Sequence, residues 1–199
     1  MERIQRINYY LDLITELKCS FNDFPVSLGN SYQLLQLFSD KIVIPQIIRT
    51  KVTIAIVETT TCGLLGDLLT TRSGASDYFI MSIIPYHNRI KEKIGVTKDF
   101  LTSFGPGTVS KETARELSNK IIEFSGAKLG IAETGLLTSS ELDKRKTKKQ
   151  AGEVYVSITL NGYSREENLP IQPDLPRNYM RHEIAFRILQ MLQKFLAQI

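Results

Sequence analysis

Three short stretches of the chain carry the residue types that could do chemistry. The first is Glu58-Thr59-Thr60-Thr61-Cys62-Gly63. It follows a short apolar, β-branched run, Val52 to Val57, that reads as a buried strand. It precedes a leucine-rich stretch, Thr61 to Thr70, that reads as a helix. In α/β sheets ligands bind at the carboxyl ends of strands. Hydroxyls and free N–H groups at such a junction suit an anion or a developing oxyanion. The same threonines also serve as ordinary helix caps, and both readings stand at this level. The second stretch is Pro85-Tyr86-His87-Asn88-Arg89-Ile90-Lys91, after a strand-like run from Tyr78 to Ile84. Lys91 becomes a general base if burial lowers its pKa, and a tyrosine hydroxyl can donate to a charge. A solvated helix start is the alternative. The third stretch is Ala132-Glu133-Thr134-Gly135-Leu136-Leu137-Thr138-Ser139-Ser140, after a strand expected at Lys128 to Ala132. There a Thr-Gly step could approach a phosphate, or Gly135 could simply serve a turn. His87 and His182 stand alone, without the spacing of a metal site.

The elements that must position these residues follow from periodicity. Ser110 caps a helix running to about Phe124, with Glu112 in its first turn. Glu153 to Leu160 alternates, with Val154, Val156 and Ile158 on one face. Asn161-Gly162 marks a hairpin, and Tyr163 to Leu169 returns. Pro170, Pro173 and Pro176 mark an irregular passage before a last helix from about Tyr179 to Ala197. Parallel β-α-β units plus one hairpin predict an α/β fold, a mixed β-sheet flanked by helices. Residues 1–50 read differently, as a helical N-terminal extension. Ile4, Ile7, Leu11, Ile14 and Leu17 recur at helical spacing, a breaker-rich stretch follows, and a second helix covers Tyr32 to Phe38. Residues 51–199 form the expected α/β domain.

Composition bounds the function classes. The 199 residues are 42% hydrophobic, enough for a core, and the net charge of +4 is mild. The basic run Lys144, Arg145, Lys146, Lys148 and Lys149 lacks interleaved aromatics, so a nucleic-acid partner is not expected. Cys19 and Cys62 belong to no Cys/His cluster and fit a reducing compartment. The start has no signal-peptide pattern, and no apolar run reaches the ~18–20 residues that span a bilayer. A cytoplasmic location without membrane association is the expectation.

Taken in order, the motifs resemble the CinA C-terminal domain, the nicotinamide-nucleotide amidohydrolase family. That family carries A-E-S-C-T-G-G at its first strand–helix junction, then Y-S-N-E-A-K, H-G-A-V-S before a long helix, a T/S-G-I-A-G-P loop, K-P-V-G-T-V-Y, and G-D-R-x-x-V-R at the final helix. Here the chain has Val57 to Gly63, Tyr86 to Lys91, Phe104 to Ser110, Thr134-Gly135, Lys149 to Tyr155, and Arg177 to Arg181, in the same order and at similar intervals. The resemblance covers about three quarters of the chain.

The resemblance implies hydrolysis of the carboxamide of nicotinamide mononucleotide or a related amide, without metal or cofactor. Lys91 matches the base and Thr59 the position of the nucleophilic serine, giving a Thr/Lys pair for Ser/Lys, with Tyr86 beside them. Glu58, Thr60, Thr61, Asn88, Thr134, Gly135 and Gly152 match substrate-binding positions, and Arg177 and Arg181 match arginines near the final helix. Backbone N–H groups near Thr60 and Thr61 would then hold the oxyanion. The family habit, with the helical extension, points to a homo-oligomer. Three departures motivate an alternative reading, a catalytically inactive relative that binds a nucleotide or serves in assembly. Thr59 adds a methyl that limits χ1 at the nucleophile. Cys62 replaces a glycine, and Gly135-Leu136-Leu137-Thr138 lacks the second glycine and the proline of the family loop.

Overall fold

The computed structural model describes residues 28–102, 105–138 and 150–199. The first predicted helix, around Ile4 to Leu17, and the basic run 144–149 lie outside them.

Helix α1 (Leu28–Phe38) passes through a π-helical stretch (Ser39–Val43) into α2 (Ile44–Thr50). The sequence expectation stopped at Phe38 because the wider turn moves the next buried apolar residue five positions on, to Val43, breaking the spacing by which a helix is read. Lys51, in a left-handed conformation at φ 54°, ends the helical run. Leu35, Phe38, Val43, Ile44 and Ile47 are buried in the same core as the sheet. The Phe38 and Phe186 rings lie 5.7 Å apart.

The sheet has the order β2-β1-β3-β4-β5. Its strands are β1 (Ile54–Val57), β2 (Phe79–Ile83), β3 (Leu129–Leu136), β4 (Glu153–Leu160) and β5 (Tyr163–Asn168). β1 pairs parallel with β2 and β3, and β3–β4 and β4–β5 are antiparallel, so the predicted mixed sheet forms. Alternation splits β1 between two cores. Ile54 and Ile56 meet α1, α2 and the last helix, α6 (Arg177–Leu196). Ala55 and Val57 face α5 (Lys111–Ser125). With both faces covered, β1 reads as continuous apolar sequence.

Local signals hold where they were strong. Ser110 Oγ accepts from the Thr113 N–H at 3.1 Å and caps α5. Asn161 and Gly162 both take positive φ, 51° and 78°, as a two-residue hairpin turn requires. Gly130 lets α5 lie directly on the sheet, because a Cβ there would stand 2.2 Å from the Ser118 carbonyl oxygen.

Two expected boundaries change around the strand ends of β1 and β3. The helix after β1, α3 (Leu64–Leu69), starts at Leu64 rather than Thr61, since the chain first makes a tight turn through Cys62 (φ 53°) and Gly63 (φ 95°). Strand β3 runs on to Leu136 rather than ending at Ala132. Its last four residues outrun β1 and are held by β4, through Glu133↔Val156 to Leu136↔Glu153. This overhang sets Glu133 beside the turn that follows β1.

Candidate functional site

The turn Thr59–Gly63 leaves the carboxyl end of β1, and the overhanging end of β3 runs alongside it. The N–H groups of Thr59, Thr60 and Thr61 converge on one oxygen, Oε1 of Glu133, at 2.7, 2.7 and 2.9 Å. The other carboxylate oxygen accepts from the Thr60 hydroxyl at 2.5 Å and the Thr59 hydroxyl at 3.2 Å. The Thr59 hydroxyl also donates to the Glu133 carbonyl oxygen at 2.9 Å. A carboxylate taken wholly out of water needs such donors, and Glu133 is 0% exposed.

Glu58 is the second fully buried carboxylate of the site. It accepts from the N–H groups of Gly63 (2.8 Å), Leu65 (3.0 Å) and Gly66 (2.9 Å), and from the Ser82 hydroxyl at 2.7 Å. It therefore caps α3 from inside and ties it to β2, which engages the oxygens expected to meet substrate. The Thr61 hydroxyl lies 2.8 Å from Glu58 Oε2 and 2.9 Å from Glu133 Oε1, joining the two carboxylates.

Lys91 lies on α4 (Asn88–Lys93), which His87 caps by accepting from the Arg89 N–H at 3.2 Å. Lys91 is only 2% exposed. Burial lowers its pKa to about 8, against the attraction of Glu133, which favours the ammonium. Among the described residues no hydrogen bond links Lys91 to the Thr59 hydroxyl, whose partner is Glu133.

The other expected residues form two groups. On the α5 side, Thr134 Oγ1 donates to the Thr108 carbonyl oxygen at 2.7 Å, and Asn88 Nδ2 donates to Thr108 Oγ1 at 2.9 Å. On the α6 side, Arg181 Nε donates to the Thr60 carbonyl oxygen at 3.1 Å and its Nη2 lies 3.5 Å from Cys62 Sγ. Arg177, one turn earlier, donates to the Tyr86 hydroxyl and to Thr138 Oγ1, each at 3.1 Å. Tyr86 is 61% exposed, so this group lies at the protein surface. Among the described residues neither arginine forms an ion pair, which leaves their charge available to an anionic ligand.

The two glycines have structural duties. At Gly135 a Cβ would come within 2.7 Å of Val154 Cγ2 and 3.1 Å of Thr60 Cγ2. At Gly152, with φ +88°, it would stand 2.1 Å from the Ile171 carbonyl oxygen. Both allow segments of the fold to pack closely.

Sequence reasoning placed an oxyanion at the Thr60 and Thr61 amides, but Glu133 occupies them. Glu133 has no role in the sequence expectation. The available signal was one acidic residue in the otherwise apolar and small run Leu129-Gly130-Ile131-Ala132, since an acid there has to find buried donors. Ser82 and Thr108 were also missed. Among the described residues no three His, Cys, Asp or Glu side chains gather as metal ligands. No helix there is long and apolar enough to cross a membrane. A cavity of about 410 Å³ at the other end of the sheet, lined by Lys120, Lys128 and Asn161 among others, contains none of the expected site residues.

Residues 38–196 match the family model described as the CinA C-terminal domain. A CinA-like protein of Kosmotoga olearia is 31% identical over 158 residues, which are 79% of this chain and 37% of that protein. The chain thus spans little more than a third of that relative. The crystal structure of competence/damage inducible protein CihA from Agrobacterium tumefaciens superposes with a TM-score of 0.70 at 25% identity, covering 82% of this chain and 96% of that one. A competence damage-inducible protein A from Klebsiella pneumoniae shares the fold with a TM-score of 0.72 at 17% identity, covering 82% of this chain and 97% of that one.

Proposed function

The chain belongs to the CinA C-terminal domain family, and from that premise we propose that its strand-end pocket binds a nicotinamide mononucleotide-like ligand in a resting form not set for hydrolysis. The observation that carries this reading is the Glu133 carboxylate on the three amides of Thr59, Thr60 and Thr61. Amide hydrolysis needs free donors where the oxyanion develops, and removing one such donor costs ~100- to 1000-fold in rate. Here all three amides are engaged, and a carboxylate repels the charge that would form. The nucleophile position is also not paired with the lysine base of the family, because the Thr59 hydroxyl donates to the backbone carbonyl and the carboxylate of Glu133 and not to Lys91. Arg177 and Arg181, which contact Thr138 and the Thr60 carbonyl oxygen, favour a ligand carrying phosphate.

A second reading is the amidohydrolase itself, with Thr59 attacking, Lys91 taking its proton, and Glu133 displaced when substrate enters. The lowered pKa of buried Lys91 favours it. Incubation of pure protein with nicotinamide mononucleotide decides between the two. The proposal expects a rise in melting temperature with the nucleotide and no ammonia release above a Lys91→Ala control. Ammonia release that vanishes in Lys91→Ala establishes the amidohydrolase instead. No shift and no turnover removes the nucleotide from the proposal.

A further inference from the structure

We propose that Glu133 is an internal ligand: a carboxylate of the protein fills the anion position of the pocket, and this residue decides what the pocket admits. Convergence of three N–H groups and neighbouring hydroxyls on one carboxylate is receptor geometry for an anion. Neither the strand ladder nor the helix cap uses that side chain. The backbone of Glu133 is already paired with Val156 in the β3–β4 ladder. The start of α3 is capped by a different carboxylate, Glu58, through Gly63, Leu65 and Gly66. The Glu133 carboxylate therefore serves the Thr59–Thr61 turn.

Lys91 is an independent sign of a ligand. Its side chain is almost wholly buried, with 2% of the residue exposed, and among the described residues its ammonium forms no hydrogen bond or ion pair. A cation without an acceptor thus lies within electrostatic reach of an anion receptor that is already filled.

Tethering gives Glu133 a decisive advantage. A side chain fixed at its receptor competes at high effective concentration, so an external anion is excluded from the turn. The ligand must present a neutral group there and carry its negative charge elsewhere, toward Arg177 and Arg181. Cutting Glu133 back to alanine removes the Cγ methylene and the carboxylate, a fragment with the shape and charge of acetate. The emptied turn then has vacant donors and a space to match.

The test is chemical rescue. Glu133→Ala and the natural protein are melted in sodium acetate and in sodium chloride of equal ionic strength. With acetate well above its Kd, Glu133→Ala is expected to gain ~3 °C or more over chloride. The natural protein should melt alike in both salts. Equal melting of the variant in both salts, or an equal acetate gain in both proteins, overturns the proposal. If Glu133→Ala does not fold, Glu133→Gln carries the test by NMR. The amide protons of Thr59, Thr60 and Thr61 must lie downfield in the natural protein and move upfield together when the charge is lost, and a failure to move together sinks the idea. Because the probe is acetate, the outcome does not depend on whether nicotinamide mononucleotide binds or is hydrolysed.

Discussion

Replacing Lys91 by methionine should make the protein more stable at neutral pH. Lys91 is almost wholly buried, and its pKa is lowered from 10.5 to about 8, first by burial and with Glu133 opposing the drop. At pH 7 the residue is still an ammonium. At about 1.4 kcal/mol per pKa unit, holding that charge in the folded state costs about 3 kcal/mol. The sign follows from linkage. The folded-state pKa is the lower one, so the unfolded chain binds more protons between pH 8 and 10.5. Stability is full above 10.5, falls as pH drops to about 8, and stays low below that. Methionine keeps much of the length and apolar contact of the lysine stem without the charge. Lys91→Met is therefore expected to gain up to about 3 kcal/mol at pH 7, less whatever Glu133 loses with its cation, and to lose the gain near pH 10.5. Urea unfolding of both proteins at pH 7 and pH 10 measures it. The comparison is the difference between the two proteins, so the raised pKa values of Tyr78, Tyr155 and Tyr179 act equally on both. A less stable variant at pH 7, or a difference that does not change with pH, refutes the argument. The expected result marks Lys91 as a residue kept at the expense of the fold, the usual sign of a group retained for a site.

Two further outcomes follow from the same geometry. Phe38→Ala should cost about 3–5 kcal/mol in denaturant unfolding, since Phe38 is fully buried and packs on Phe186 from the helix that precedes the sheet. A loss below about 1 kcal/mol would mean that α1 is only loosely attached. Thr59→Ser should leave ammonia release from nicotinamide mononucleotide at the level of its parent, because Glu133 still holds the three amides. A strong gain of activity in that single variant would show that the threonine methyl, and not Glu133, is the block.

Much of this protein is legible in consecutive residues because the physics there is local. Ile54 to Val57 is apolar throughout because a central parallel strand is buried on both faces. Ser110 caps α5 and Asn161-Gly162 turns the hairpin through conformations set by one or two side chains. The order of the motifs, from Val57-Glu58-Thr59 to Arg181, indicates the family without any knowledge of contacts, and the family model agrees over residues 38–196. What Glu133 touches could not be read that way. It depends on β3 outrunning β1 by four residues, and that overhang is set by pairing with β4, some twenty residues further along the chain. The burial of Lys91 likewise follows from how α4 packs rather than from its polar sequence, and the π-helical stretch at Ser39–Val43 hides the continuity of α1 and α2 by shifting the apolar spacing. Sequence alone determined which groups stand at the strand ends. Only the tertiary structure decided that an acid of β3 fills the donors after β1, because a hydrogen bond is assigned by which strands are neighbours in space and not by position along the chain.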